Sequence, residues 1–201
     1  MNEYNFSLYS NKMKKLYYQL LFAVALLASM SIYIFFNLQP SVYKSSGRFA
    51  VFYKDKNGEI ANNLQTNSDL TKSIAETVKS RYFLENISKA SGIKFDDSDL
   101  DSNLDKIVNA SVITNSNIVL IEFFNQNTDN LDKINKVFLS QLNSSKLITG
   151  ADSSITIQTI DPLFSSTDPT YPKPMTYALA TFVVIIFAGL LLIYSLPSQG
   201  Q

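Results

Sequence analysis

The sequence contains no cysteine and no histidine, and only six of its 201 residues are glycine. Without cysteine there is no disulfide framework, no thiol nucleophile and no supply of the commonest zinc ligand. Without histidine, the usual general base and the other main transition-metal ligand are missing. None of the glycines stands in a GxGxxG or GxxxxGK pattern, the signatures of loops that bind phosphate. These absences predict a protein that is not an enzyme and that holds no metal and no cofactor.

The charged residues balance, with 17 Lys and Arg against 17 Asp and Glu. A chain of zero formal net charge has no overall field that attracts polyanions, so we expect no nucleic acid among its partners. Its length fits one folded domain with accessory segments.

Two long apolar runs stand near the ends of the chain. The first, YYQLLFAVALLASMSIYIFF, has Gln19 as its only strongly polar residue, and about 20 helical residues span roughly 30 Å, the thickness of a bilayer core. It predicts a transmembrane helix at residues 16–38, with a cleaved signal peptide as the alternative. The second run carries no charge and predicts a transmembrane helix at residues 175–196, with a buried core helix as the alternative.

Three lysines just before the first run indicate how the chain is oriented. Lys12, Lys14 and Lys15 form a cluster of the kind that is retained in the cytoplasm. We therefore expect residues 1–15 to be a cytoplasmic segment and, because two spans return the chain, residues 197–201 to be a cytoplasmic tail. Residues 39–167 would then form a domain outside the cytoplasmic membrane.

The pattern between the two spans predicts an α+β domain. Alternating or β-rich stretches predict strands at Gly47–Tyr53, Asn109–Thr114, Asn117–Phe124 and Ser154–Ile160. Helical spacing predicts one helix capped by Asn67 or Ser68 and ended by Gly92, and another capped by Thr128 or Asp129. The order β-α-β-β-α-β is that of the ferredoxin-like fold, an antiparallel sheet with helices on one face. In that arrangement the first and last strands pair antiparallel.

An acidic run, DDSDLDSN at 96–103, offers three interpretations. Calcium binding would require oxygen ligands from a loop, but this run lacks the mid-loop glycine and terminal glutamate of an EF-hand. A glycosidase pair would require two carboxyl groups opposed across a cleft, one of them in an apolar pocket. We expect instead that these acids cap a short helix around Leu100 to Lys106 and stay solvated.

Other polar and aromatic residues have structural alternatives. Lys79 and Arg81 are candidates for contact with a glycan or a neighbouring subunit, the alternative being a solvated helix face. The main aromatic residues of the domain are expected in the core or at the membrane interface and not as a sugar-binding platform; they are Tyr43, Phe49, Phe52, Tyr53, Phe123 and Phe124.

Three prolines crowd the segment before the second span. Pro169, Pro172 and Pro174 each hold φ near −65° and disfavour helix in the residue before them. Residues 168–174 are therefore expected to form an extended strut that sets the spacing between the domain and the membrane. The alternative is an ordinary proline-rich linker.

Four stretches, taken in order, resemble one family. They are PSVYKSSGRFAVF after the first span, SIAETVKSRYFLENISKASGI, LDKIVNASVITNSNIVLIEFFNQNTDNLDKINKVFLSQL, and IDPLFSSTDPTYPKPM before the second span. Together they are similar to the Wzz-type chain-length determinants, also called polysaccharide co-polymerases. The resemblance covers nearly the whole chain and is to a short form without a kinase domain.

The resemblance implies a function and a location. It implies a non-enzymatic, multi-pass protein of the bacterial inner membrane that regulates the chain length of O-antigen (lipopolysaccharide), capsule or exopolysaccharide. Its implied partners are membrane lipid, a polysaccharide polymerase with the growing glycan, and further copies of the chain in a ring-like homo-oligomer. Two alternatives remain: an adaptor that activates a separate bacterial tyrosine kinase, and a small extracytoplasmic sensor or secretion-apparatus component.

Overall fold

The chain divides into two compact units. The computed structural model describes residues 3–53, 64–144 and 155–195. One unit combines Met1–Pro40 with Pro172–Gln201, and the other is Ser41–Tyr171. The first unit carries the two long apolar helices, and the second is a mixed α+β domain.

The two apolar helices are α1, Glu3–Asn37, and α6, Pro174–Ser195. Their segments Lys15–Asn37 and Pro174–Tyr194 have mean hydropathies of 2.1 and 2.5, so both are long and apolar enough to cross a membrane. Only 6% and 0% of these segments are buried, whereas the core helix of a soluble protein would be covered by its neighbours. Both helices therefore have the length and apolar composition that a membrane span requires, and their apolar side chains are largely exposed.

A small residue lets α1 and α6 approach closely. A Cβ atom placed on Gly189 of α6 would collide with the Leu21 side chain of α1. Near this point Ala25 is fully buried, and the rings of Phe22 and Phe182 meet edge to face with centroids 5.7 Å apart. Small residues at such contacts are typical of helix pairs in membranes, where close packing replaces the hydrophobic effect.

The α+β domain is built on a four-stranded antiparallel sheet. The strands are β1, Tyr43–Tyr53; β2, Val108–Val112; β3, Ile118–Asn125; and β4, Ile155–Ser165. They lie in the order β2-β3-β1-β4, and every neighbouring pair is antiparallel. The predicted strands are all present, and the first and last do pair.

Two of the strands are longer than their apolar patterns indicate. β1 begins at Tyr43 instead of Gly47, because its polar start, Tyr43 to Ser46, pairs in register with Asn125 to Glu122 of β3. β4 continues past Ile160 to Ser165 alongside β1, with register shifts near Arg48. Cross-strand hydrogen bonding, which the pattern of one strand does not reveal, extends both strands.

The first predicted helix is in fact two helices, α2, Leu64–Val78, and α3, Arg81–Ser91. Ser80 breaks the pattern because its backbone is extended and its side chain accepts a 3.2 Å hydrogen bond from the Phe83 amide, an N-cap. The predicted cap at Asn67 or Ser68 is wrong, since both residues lie inside α2. Gly92 ends α3 as predicted, with φ of 73° and its amide bonded to Ser88.

The remaining helices are α4, Asp97–Ser102, and α5, Thr128–Ser144, with a 3₁₀ turn at Leu104–Lys106. The cap of α5 is Asn127, whose Oδ1 accepts from the Asp129 amide at 2.8 Å. The predicted caps Thr128 and Asp129 are therefore wrong by one or two positions.

One face of the sheet packs against the helices and forms the core. Phe138 of α5 is fully buried. The centroid of its ring lies 5.3 Å, 6.0 Å and 5.6 Å from the ring centroids of Phe49, Phe83 and Phe123. These partners come from β1, α3 and β3, so a single side chain joins four elements. As predicted, Phe49 and Phe123 belong to the core.

A chain of hydrogen bonds joins α5 to β1 and β4. The fully buried hydroxyl of Ser45 donates to Asn135 Oδ1 at 2.7 Å, and Asn135 Nδ2 donates to Ser165 Oγ at 3.0 Å. Ser165 in turn donates to Asp132 Oδ1 at 2.6 Å. The buried Ser45 hydroxyl is thereby hydrogen-bonded, and the network ties α5 to β1 and β4.

Candidate functional site

A groove of about 700 Å³ lies at one end of the α+β domain. Its walls come from five places: the end of β3, the segment between α3 and α4, α4 itself, the 3₁₀ turn with Ile107, and a short pairing of the chain before β1 with the chain after β4. The lining residues are Val42, Lys94, Phe95, Asp96, Asp99, Asp105, Lys106, Ile107, Phe124, Asn125, Gln126 and Tyr171.

Backbone hydrogen bonds hold these walls together. The Phe124 amide donates to the Ile107 carbonyl at 2.9 Å, which ties the 3₁₀ turn to the end of β3. On the opposite wall, the Val42 amide donates to the Tyr171 carbonyl at 2.7 Å, and the Thr170 amide donates to Val42 at 2.8 Å. The shape of the groove therefore depends on backbone contacts between residues far apart in sequence.

The polar lining carries charges of both signs. Three aspartates, Asp96, Asp99 and Asp105, face two lysines, so the formal charge of the lining is 2 − 3 = −1. Lys106 Nζ lies 3.8 Å from Asp99 Oδ1, too far for a hydrogen bond, so both groups keep their bonding capacity. Within the described part of the chain, Lys94 has no ion pair.

Three aromatic rings, together with Val42 and Ile107, supply the apolar part of the groove. Phe95 and Phe124 are half-buried, and Phe95 also packs against the core. Tyr171 is 41% exposed. We expected Phe124 in the core or at the membrane interface, but it lies in the wall of a groove. Aromatic rings beside charged and amide groups can bind a ligand that has both an apolar face and hydrogen-bonding groups.

Comparison with known proteins does not identify a relative. No protein-family model and no curated protein matches the sequence.

The acidic run is divided between the groove and the capping of α4. Asp96 caps α4, since its side chain accepts a hydrogen bond from the Ser98 amide at 3.1 Å. The expectation of a short helix capped by an acidic residue is confirmed, although the helix starts at Asp97, earlier than expected. Asp96 and Asp99 line the groove, whereas Asp97 and Asp101 do not. Among the described residues, no group of three or more Asp or Glu side chains converges as metal ligands would.

Arg81 and Lys79 lie outside the groove. Arg81 Nε donates to Glu85 Oε1 at 2.8 Å, and its guanidinium also pairs with Asp101 of α4. The hydrogen bond from Arg81 lowers the pKa of Glu85. The pKa of Arg81 is raised, first by this hydrogen bond and second by the negative charge of Asp101. The Arg81 charge is thus already matched by two carboxylates, while Lys79 is half-buried. Their contact with glycan or subunit stays a prediction.

The predicted strut and lysine cluster can be placed in part. Pro169 is exposed, Pro172 is buried, and Pro174 is the first residue of α6. Lys15 is exposed in α1; Lys12 and Lys14 also fall within α1, but their side chains lie outside the described part of the structure, as does the tail 197–201. Whether the prolines set the height of the domain stays a prediction.

Sequence reasoning missed several groove residues. Phe95, Asp105 and Asn125 carry no local motif that marks them, and Tyr171 stands among the prolines without a pattern of its own. They come together only through the backbone pairing of distant segments. The one local signal was the density of acids at 96–103.

Proposed function

We propose that this chain is a non-enzymatic inner-membrane regulator of polysaccharide chain length that acts as an oligomeric scaffold beside a polymerase. The observation that carries the proposal is the architecture: one α+β domain inserted between two helices that are long and apolar enough to cross a membrane. The resemblance of the four sequence stretches to Wzz-type chain-length determinants supplies the function.

We further propose that the domain is ferredoxin-like. The strand order β2-β3-β1-β4, with antiparallel neighbours, supports this assignment. So does the placement of α2 and α3 between β1 and β2, and of α5 between β3 and β4. The short helix α4 and the 3₁₀ turn are additions before β2, and they form one wall of the groove.

The proposed topology puts both termini in the cytoplasm and the domain outside it. Reporter fusions placed at residues 100 and 201 are expected to report an external and a cytoplasmic location, because the lysine cluster anchors the N-terminus inside. Alkaline phosphatase and a fluorescent protein that folds only in the cytoplasm serve as opposite readouts. Reversed signals, or release of a processed chain that has lost its first helix, would contradict the topology.

The proposed partners are further copies of the chain in a ring-like oligomer, a polysaccharide polymerase and its growing glycan, all within the lipid of the inner membrane. A kinase adaptor would act through different chemistry. Stimulation of a co-purifying tyrosine kinase, with surface polysaccharide unchanged on deletion, would favour that alternative.

Deletion of the gene is expected to change the length distribution of one surface polysaccharide without abolishing its synthesis. A scaffold sets when elongation stops, whereas the polymerase forms the bonds, so a preferred length should give way to a broad distribution. Gel electrophoresis of extracted surface polysaccharide measures this, with a strain complemented by the intact gene as the control. An unchanged length distribution would refute the proposed function.

A further inference from the structure

We propose that the groove binds a sugar residue of a glycan chain, with the hydroxyl groups on its charged wall and the ring face on its aromatic side chains. The cellular identity of the glycan rests on the proposed function, but the binding itself does not. About 700 Å³ falls within the 300–1,000 Å³ that is usual for small-molecule pockets.

The charges of the lining argue against two other ligand classes, polyanions such as nucleic acid and purely apolar molecules. Three carboxylates would repel a polyanion such as nucleic acid, and the charged groups would lose hydration against a purely apolar ligand. A sugar hydroxyl both donates and accepts hydrogen bonds, so it can donate to a carboxylate and accept from an ammonium group at the same time. A neutral ligand that is rich in hydroxyl groups can therefore bond both to the carboxylates and to the ammonium groups of the lining.

Asn125 adds an oriented amide to the groove. Its Oδ1 accepts from the Asn127 amide at 2.9 Å and from Asn130 Nδ2 at 3.3 Å, which fixes the orientation of the side chain. Its Nδ2 donates no hydrogen bond to any residue in the described ranges. This amide group is thus a further donor for a ligand oxygen.

The aromatic rings explain why a sugar fits better than a smaller polar ligand. One face of a pyranose ring exposes C–H groups, which pack on the face of an aromatic ring as other apolar surfaces do. Phe95 packs against the core, and the backbone of Tyr171 pairs with Val42, so the positions of both residues are set before a ligand binds.

The test uses the full chain in lipid nanodiscs and three neutral probes: maltotetraose, chitotetraose and mannotetraose. Saturation-transfer NMR is expected to show at least one probe binding with a Kd of about 1 mM or tighter, with empty nanodiscs as the blank. Asp105→Asn is expected to weaken that binding about tenfold, because the ligand hydroxyl then donates to a neutral amide oxygen instead of a carboxylate. Tyr171→Ala, which removes a ring, is expected to weaken it by a similar factor.

Asp97→Asn is the matched control. Asp97 is an exposed member of the same acidic run but does not line the groove, so this variant should bind as the unaltered protein does. The inference is overturned if no probe binds, if Asp97→Asn weakens binding as much as Asp105→Asn, or if a lysine-rich peptide binds and the sugars do not.

Failure of this inference can be told apart from failure of the proposed function. If deletion changes glycan length while no probe binds, only the groove assignment is wrong. If a probe binds through the groove while deletion leaves every surface polysaccharide unchanged, the proposed function is wrong and the sugar site stands.

Discussion

Phe138→Ala is expected to cost the α+β domain about 3–5 kcal/mol of unfolding free energy. The ring is fully buried and contacts three other aromatic rings, from β1, α3 and β3. Truncation removes these contacts and leaves a cavity that packed neighbours fill only in part. Because natural domains are stable by about 5–15 kcal/mol, the loss is a large share of the total.

Urea titration of the full chain in nanodiscs, followed by pulse proteolysis of the domain, measures this loss. The matched control is Phe164→Ala, which removes the same ring from a position that is 73% exposed. That variant should change the unfolding free energy by less than about 0.5 kcal/mol. Equal losses in the two variants would show that the buried aromatic cluster is not the centre of the core.

Gly47→Val is expected to disrupt the pairing of β1 with β4. A Cβ atom at position 47 would lie 2.9 Å from Leu163 N, 3.0 Å from Asp161 O and 3.1 Å from Leu163 Cα. All three are backbone atoms, so β4 itself must move, and overpacking of this kind costs about 1–3 kcal/mol. Amide hydrogen exchange should accelerate in β4 before it does in β2 and β3.

Arg48→Val provides the control for Gly47→Val. It places the same side chain one residue further along β1, at an exposed position. Its cost is limited to the surface ion pair between Arg48 Nε and Asp161 Oδ2, at 2.7 Å, which is worth up to about 1 kcal/mol. If Gly47→Val leaves amide hydrogen exchange in β4 unchanged, the close approach at Gly47 is not required for the pairing of β1 with β4.

The boundary between α2 and α3 shows where periodicity stops being sufficient. Apolar residues keep helical spacing from Leu70 through Ile87, so the pattern predicts one helix. A serine inside a helix pattern is ambiguous, because its side chain can either face solvent or cap the next helix. In the fold, α2 packs on the sheet and α3 packs on α5, and these different packing partners favour two separate helices.

The two apolar helices, the four strands and most helix positions can be predicted from the amino-acid sequence alone. These features depend on local composition and periodicity, which are present in the chain before any tertiary contact forms. The prediction of an antiparallel α+β domain between the two apolar segments needed nothing more.

The position of the groove and the residues that line it depend on the tertiary fold. Val42, Asp105, Asn125 and Tyr171 are separated by up to 129 positions, 171 − 42, and no local pattern connects them. They meet because β1 lies between β3 and β4, which brings both ends of the domain sequence beside the end of β3. Such juxtaposition follows from sheet order and long-range hydrogen bonding, so it is a property of the folded chain and not of any segment within it.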